Sequence, residues 1–378
     1  MTDRPLKLME RMALTEKEAV LVHNPSNMFW LSGYTGEGVV MIGRSFRANI
    51  FYLSGYTGEG ILVFGHGFKA IITDFRYTEQ AEQQAPSFSV EMTDKTTSHD
   101  HIAARLCGEY GISTLYYEDD FLTVREYETA RKVIENVEWK SLNRRVQFLR
   151  QVKDEKELEC IAEACRITGE AFERLLPNIK EGMTEKELAL MLEFDMLTHG
   201  ASALAFDTIA AAGAHGSLPH AVPGDLKIKK GDMITFDFGA KFGGYCADMT
   251  RTVALGKPSD EMLRVYQIVL EAQQMSQDAV MAGKTGKEID AIARDYIYKS
   301  GYEGRFGHGL GHAVGIDIHE EPRLAMTGEQ ILEENHVVTV EPGIYLPGIG
   351  GVRIENTVVV KKDGCIPLTL PTRELIIL

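Results

Sequence analysis

The chain has 378 residues, 44% hydrophobic and 25% charged, a composition typical of soluble globular proteins and long enough for two domains with sizeable cores. Its formal net charge of −15 argues against nucleic acid or an anionic membrane surface as a general partner. The cysteines (Cys107, Cys160, Cys165, Cys246 and Cys365) are odd in number and form no C-x-x-C pair or zinc-finger spacing, so reduced thiols in a cytoplasmic protein are expected. The N-terminal residues lack the apolar stretch of a secretion signal, and no apolar run approaches membrane-spanning length.

The first predicted elements are a short helix over Leu6–Leu14 and a strand at Ala19–Val22. Residues 27–48 and 49–70 then form a tandem duplication, identical at 13 of 22 positions and including an unbroken Leu-Ser-Gly-Tyr-Thr-Gly-Glu-Gly. Two copies are too few for a solenoid. Each copy reads as a short turn or helix, a Gly-rich turn and a strand, which adds a strand or a looped-out excursion to a small domain. The pattern continues as alternating elements: a strand at Ala70–Thr73, a helix at Thr78–Gln84, a strand at Phe88–Met92 and a helix at His101–Tyr110. A strand at Thr114–Tyr117 and a helix near Thr123–Ile134 follow. Such alternation predicts an α/β layer domain. Residues 136–150 are polar and basic and read as a connector, which places the domain boundary near 142, with domains 1–142 and 143–378.

Beyond it, apolar residues at helical spacing predict a helix over Asp154–Leu175. Thr184, with Glu187 as its capping-box partner, opens a helix over Glu185–His199 that Gly200 closes. Strands and Gly/His-rich loops occupy 205–253. A second helix pair, Ser259–Ala282 and Lys287–Lys299, precedes a Gly/His segment at 304–321 and a strand-rich stretch at 336–378. The repeated order predicts an α+β domain with two related halves.

Two hairpins carry the chemistry. Ile234, Phe236 and Phe238 alternate with Thr235 and Asp237 before Lys241-Phe242-Gly243-Gly244, and Tyr245 and Ala247 alternate with Cys246 and Asp248 after it. A turn centred between Phe242 and Gly243 sets Asp237 opposite Asp248. In the second hairpin, reflection through Gly348 sets Glu341 opposite Glu355. Facing carboxylates in apolar strands repel each other and are costly to bury. Singly, either pair reads as ordinary edge or turn carboxylates; together, and with nearby histidines, they point to a cation. Gly307-His308-Gly-Leu-Gly-His312 matches neither H-E-x-x-H nor the dinucleotide fingerprint. His220 lies between Pro219 and Pro223 in a loop stiff enough to aim a side chain.

These residues carry a resemblance. Asp237-Phe-Gly with Asp248-Met-Thr-Arg-Thr, Gly307-His-Gly-Leu-Gly-His312, Val314-Gly-Ile-Asp-Ile-His319-Glu-Glu-Pro, Val340-Glu341-Pro-Gly-Ile-Tyr and Arg353-Ile-Glu355-Asn occur in the order found in the pita-bread metallopeptidases. That family comprises aminopeptidase P (Xaa-Pro aminopeptidase), prolidase (Xaa-Pro dipeptidase) and methionine aminopeptidase. The N-terminal half, with Ile72-Thr-Asp-Phe-Arg-Tyr-Thr-Glu-Gln-Ala, resembles the aminopeptidase P and prolidase branch. The tandem copy and His215 depart from the family pattern.

The resemblance implies a pita-bread catalytic domain behind the α/β domain. It implies two divalent metal ions, Mn²⁺ first, with Co²⁺, Fe²⁺ or Zn²⁺ also admitted by the donor set. Their ligands would be Asp237, Asp248, His312, Glu341 and Glu355. The implied reaction is hydrolysis of the Xaa-Pro bond at peptide N-termini. Glu341 relays the proton of the attacking water, His319 helps stabilise the oxyanion, His220 and His308 orient the peptide with His319, and Arg353 anchors the site or the substrate. The implied partners are a peptide with proline at its second position and a second copy of the chain as a homodimer. Three alternatives stand beside this expectation: a prolidase acting only on Xaa-Pro dipeptides, a metal-free creatinase-like hydrolase, and a non-catalytic peptide-binding module.

Overall fold

The computed structural model describes residues 4–22, 60–86 and 88–378. It divides into two compact units, Met1–Arg150 and Gln151–Leu378. Within the described residues, the first unit contains α1 (Arg4–Met12), β1 (Glu18–Val22), β2 (Gly60–Gly65), β3 (Phe68–Thr73), α2 (Thr78–Gln84), β4 (Ser89–Met92), α3 (His99–Glu109), β5 (Thr114–Tyr117), α4 (Val124–Val133) and β6 (Glu138–Ser141). The strands form one mixed sheet in the order β4-β3-β2-β1-β5-β6. Its core gathers Ile61, Val63, Ile72, Ile102, Leu106 and Leu115, so the predicted α/β layering is present. Most of the duplicated segment lies outside the described residues. The end of its second copy supplies β2 and the start of β3, joined through Gly67 at φ +85.

The stretch 136–150, read as a connector, is instead structured. It holds β6, which pairs in parallel with β5, and the start of α5 (Arg145–Gln151). β6 is an edge strand whose side chains are all partly or fully exposed, so it carries no apolar alternation to read.

The second unit opens with α6 (Glu155–Leu175) and α7 (Glu185–Thr198), each started by a capping box, Asp154 with Glu157 and Thr184 with Glu187. The strands β7 (Ala203–Leu204), β8 (Ile209–Ala212), β9 (Met233–Phe238), β10 (Ala240–Phe242), β11 (Tyr245–Cys246) and β12 (Met249–Ala254) follow. A second helix pair, α8 (Asp260–Ala279) and α9 (Gly286–Ile297), is trailed by a π-turn at Tyr298–Tyr302 in which Gly301 takes φ +97. The chain ends in β13 (Gly311–Ala313), β14 (Glu320–Leu324), β15 (Val337–Val340), β16 (Gly343–Leu346), β17 (Gly350–Arg353), β18 (Asn356–Lys361) and β19 (Gly364–Pro367).

Each helix pair covers the strands that follow it and forms its own core. Phe172, Leu188, Leu192, Phe236 and Phe238 belong to the first half. Val265, Val269, Ile289, Ala293, Val338 and Val358 belong to the second. This is the two-halved α+β arrangement expected from the sequence. One helix is unusual: α7 buries Leu188, Ala189, Leu192 and Met196, yet Leu190, Phe194 and Leu197 stay exposed on another face.

Candidate metal centre

The first hairpin differs in register from the sequence reading. Phe242 pairs with Tyr245, and Thr250, not Asp248, stands opposite Asp237. The turn is centred on Gly243-Gly244, with φ +56 and +85. A two-residue hairpin turn of this type needs positive φ at both positions, which glycine supplies and Phe242 would resist. A Cβ on Gly243 would also meet Cys160 Sγ at 2.8 Å. Asp248 is two residues from Thr250, so it remains on Asp237's face as a diagonal neighbour.

The second hairpin has the expected register. Val340 pairs with Asn356 and Gly343 with Arg353, which brackets Glu341 opposite Glu355 about Gly348 at φ +76. The two hairpins are stitched together. Glu355 N donates to Thr250 O at 3.1 Å, Thr250 Oγ1 donates to Glu355 Oε2 at 2.8 Å, and Thr252 Oγ1 donates to Arg353 O at 2.9 Å.

The result is convergence. Ligand oxygens of Asp237, Asp248 and Glu355 all lie within 4.8 Å of one another. His312 Nε2 is 3.6 Å from Asp248 Oδ2 and 3.4 Å from Glu341 Oε1. Thus all five residues expected as ligands meet at one place. Burial, then the charges of Glu355 and Asp237, push the Asp248 carboxyl well above the carboxylate range. Burial and Glu355 do the same to Glu341, and burial with Asp237 raises Glu355 to about 8. Burial, with His319 nearby, lowers His312 to about 3.

The donor set fits a divalent cation. Asp237 Oδ1 and Glu355 Oε1 are buried without a hydrogen-bond partner, a costly arrangement for carboxylate oxygens. His312 Nδ1 donates to Ala313 O at 3.2 Å, which leaves the Nε2 lone pair facing carboxylate oxygens. A lone pair crowded by ionised carboxylates is repulsive, so without a cation these carboxyls retain protons, and a cation among them stabilises them as anions. Such orphan oxygens and an unprotonated imidazole are the donors that a hard-to-borderline metal takes.

Arg353 anchors this cluster. Its Nη2 donates to Asp237 Oδ2 at 2.6 Å, its Nε to Thr250 Oγ1 at 3.2 Å, and its Nη1 to Tyr345 Oη at 2.8 Å. Tyr345 was not found by sequence reasoning. Its phenol is 2.9 Å from His308 Nε2, while His308 Nδ1 donates to Gly309 O at 2.8 Å. The phenol therefore donates to a neutral His308, which burial and Arg353 lower to about 4. The missed signal was register: Tyr345 is two residues beyond Gly343, the partner of Arg353, and so shares its face.

His220, His308 and His319 line the same cavity of about 850 Å³ as the cluster. His319 packs edge-on against His312 with ring centroids 4.5 Å apart. His220 and His319 are exposed, and His308 is half-buried. Glu185, also missed, is fully buried at the first position of α7. It accepts from Ala212 N at 2.8 Å, Gly224 N at 3.3 Å and His215 Nδ1 at 2.9 Å, and so ties together the two ends of the His220 loop. In the other half, Asp290 accepts from Leu310 N at 3.0 Å and pairs with Arg294, whose guanidinium donates to Phe306 O and His308 O.

Fold and site together define a metallohydrolase. Residues 159–362 match metallopeptidase family M24, and residues 41–152 match the creatinase/prolidase N-terminal domain. The chain is 42% identical over 361 residues to the uncharacterized peptidase YqhT of Bacillus subtilis (strain 168), an alignment covering 96% of each protein. It superposes on a solved Xaa-Pro dipeptidase from Bacillus anthracis with a TM-score of 0.89 at 38% identity, covering 99% of this chain and 100% of that one. It likewise resembles an X-Pro aminopeptidase from Thermotoga maritima MSB8, with a TM-score of 0.85 at 38% identity, covering 98% of this chain and 99% of that one. The chain belongs to metallopeptidase family M24. It is a hydrolase with a creatinase-type N-terminal domain and a pita-bread catalytic domain, as the sequence motifs imply, and its family uses a divalent metal. No helix among the described residues is long and apolar enough to cross a membrane.

Proposed function

We propose that the protein is an Xaa-Pro peptidase that removes the N-terminal residue of peptides with proline at the second position. The observation that carries the hydrolytic part of this reading is the meeting of four carboxylates and one unprotonated imidazole at the wall of a peptide-sized cavity, with two carboxylate oxygens left without hydrogen bonds, while the proline preference rests on the relatives named Xaa-Pro dipeptidase and X-Pro aminopeptidase. Asp237, Asp248, His312, Glu341 and Glu355 would hold two divalent ions, with Mn²⁺ the best match to a mostly oxygen donor set. When bound, such ions lower the pKa of a water molecule and polarise the scissile carbonyl.

The protein's own groups do the rest. Glu341, its Oε1 held by Thr339 Oγ1 at 3.2 Å, accepts the proton of the attacking water and relays it to the leaving nitrogen. His319 projects into the cavity beside His312 and donates toward the developing oxyanion. His220 and His308 orient the peptide from opposite halves of the domain. Arg353 acts as a positioning group, since its guanidinium is committed to Asp237, Tyr345 and Thr250.

A strict prolidase, limited to Xaa-Pro dipeptides, is the second reading, favoured by the Bacillus anthracis relative named Xaa-Pro dipeptidase. Assays with Ala-Pro and Ala-Pro-Ala on Mn²⁺-loaded protein separate the two. Cleavage of both supports the aminopeptidase reading, cleavage of Ala-Pro alone supports the prolidase, and cleavage of neither rejects both.

A further inference from the structure

The cavity does not end at the carboxylate cluster. One arm runs out along α7, where Lys186, Leu190 and Glu193 line it, and across to Val222 of the His220 loop. Leu190 is 52% exposed and Val222 is 80% exposed. Along the same helix face, Phe194 and Leu197 continue the apolar stripe at helical spacing from Leu190. Solvated leucine and valine lining a cavity, with Phe194 and Leu197 beyond them on the helix, are an apolar surface that has not been buried by folding. Lys186, one turn before Leu190, is exposed and lines the same cavity. The volume of about 850 Å³ lies toward the upper end for small-molecule pockets and exceeds what an Xaa-Pro dipeptide fills.

We infer that this arm is an outer subsite for the residue following proline, selecting peptides of the form Xaa-Pro-Φ, where Φ is a large apolar residue. Leu190 and Val222 take the apolar side chain, and Lys186 meets the carboxylate of a tripeptide. The occupant is the substrate because Leu190 and Val222 belong both to the exposed face and to the cavity that holds the carboxylate cluster. The inference rests on the Xaa-Pro peptidase reading and refines it.

The test is a ratio. With Mn²⁺-loaded protein, kcat/KM for Ala-Pro-Phe should exceed that for Ala-Pro-Gly on the order of tenfold, as expected for an apolar side chain gaining a pocket. In Leu190→Ser that ratio should fall toward one, and in Lys186→Glu the free-acid tripeptide should lose more than its C-terminal amide. A ratio, unlike absolute activity, is unaffected by partial loss of folded protein. Equal rates on the two tripeptides or an undiminished ratio in Leu190→Ser overturns the subsite while leaving the peptidase reading intact, and cleavage of Ala-Pro alone overturns the subsite and selects the prolidase reading. If light scattering shows that Leu190→Ser or Phe194→Ser converts a dimer to a monomer, the face is an interface between copies, and the subsite is overturned. Failure to cleave any Xaa-Pro substrate removes the peptidase reading and the subsite with it.

Discussion

Arg353 reaches from the second hairpin to the first, placing Nη2 2.6 Å from Oδ2 of Asp237 and leaving Asp237 Oδ1 with no hydrogen-bond partner. One oxygen of the carboxylate is thereby fixed and the other is left for a ligand. Supporting contacts of this kind orient metal-binding groups and tune their affinity. Arg353→Lys keeps the charge but loses the planar fork that serves Asp237, Thr250 and Tyr345 together. It should fold, and its affinity for Mn²⁺ should fall by about 10- to 100-fold. Titration of the stripped protein with Mn²⁺ gives the value, and wild-type affinity would remove Arg353 from this role.

The buried carboxyls make metal-free stability depend on pH. Glu355 is raised to about 8, with Asp248 and Glu341 also raised. Between the ordinary glutamate pKa of 4.5 and about 8, the folded metal-free protein binds more protons than the unfolded chain. The stability these carboxyls contribute is therefore fully present below that window and is lost as pH rises through it. Below about pH 6.5 the buried neutral His308 and His312, lowered to about 4 and about 3, act in the opposite sense, so thermal unfolding of stripped protein should show Tm dropping from pH 6.5 to pH 8. A rising Tm across that range would contradict the assigned burial and crowding.

Metal binding should displace those protons. At pH 7, calorimetric titration with Mn²⁺ in two buffers of different ionisation enthalpy should report net proton release, because the ligands bind as anions. Identical enthalpies in both buffers would mean that the carboxyls are already ionised.

The two histidine loops should respond to the groups behind them. Asp290→Ala leaves Arg294 buried without its partner, and a cost of about 3–5 kcal/mol is expected. Glu185→Gln keeps the size of the side chain but cannot accept from all of Ala212 N, Gly224 N and His215. Its expected signature is a raised KM for Xaa-Pro substrates with a smaller change in kcat, since His220 orients the peptide. An equal loss in kcat with unchanged KM would place Glu185 elsewhere in the mechanism.

Much of this site was legible because β structure has a strict alternation. The turn of the first hairpin lies one residue later than read, which moved Asp237's partner from Asp248 to Thr250. Shifting a turn centre by one residue changes the pairing by two, so the side-chain face was preserved and the carboxylates still converge. In the second hairpin the turn is centred on Gly348, as read, although Gly350 and Gly351 follow closely. Glu185, Asp290 and Arg294 were not legible because they act from helices on loops far along the chain, and no local pattern marks such contacts. The acidic residue after Thr184 reads equally well as an ordinary complement to the helix dipole. Residues 136–150 misled for another reason: an exposed edge strand carries the polar composition of a linker. The first copy of the duplication lies outside the described residues.

On the proposed function, the carboxylate frame binds a divalent metal for Xaa-Pro hydrolysis. The most direct test is to strip the protein with a chelator, add back Mn²⁺ in measured equivalents, and follow cleavage of Ala-Pro, with Asp248→Asn alongside. Stripped wild type should be inactive, activity should return and saturate near two equivalents, and Asp248→Asn should stay inactive at every ratio. Full turnover by the stripped protein, or restoration in Asp248→Asn equal to wild type, would contradict the account.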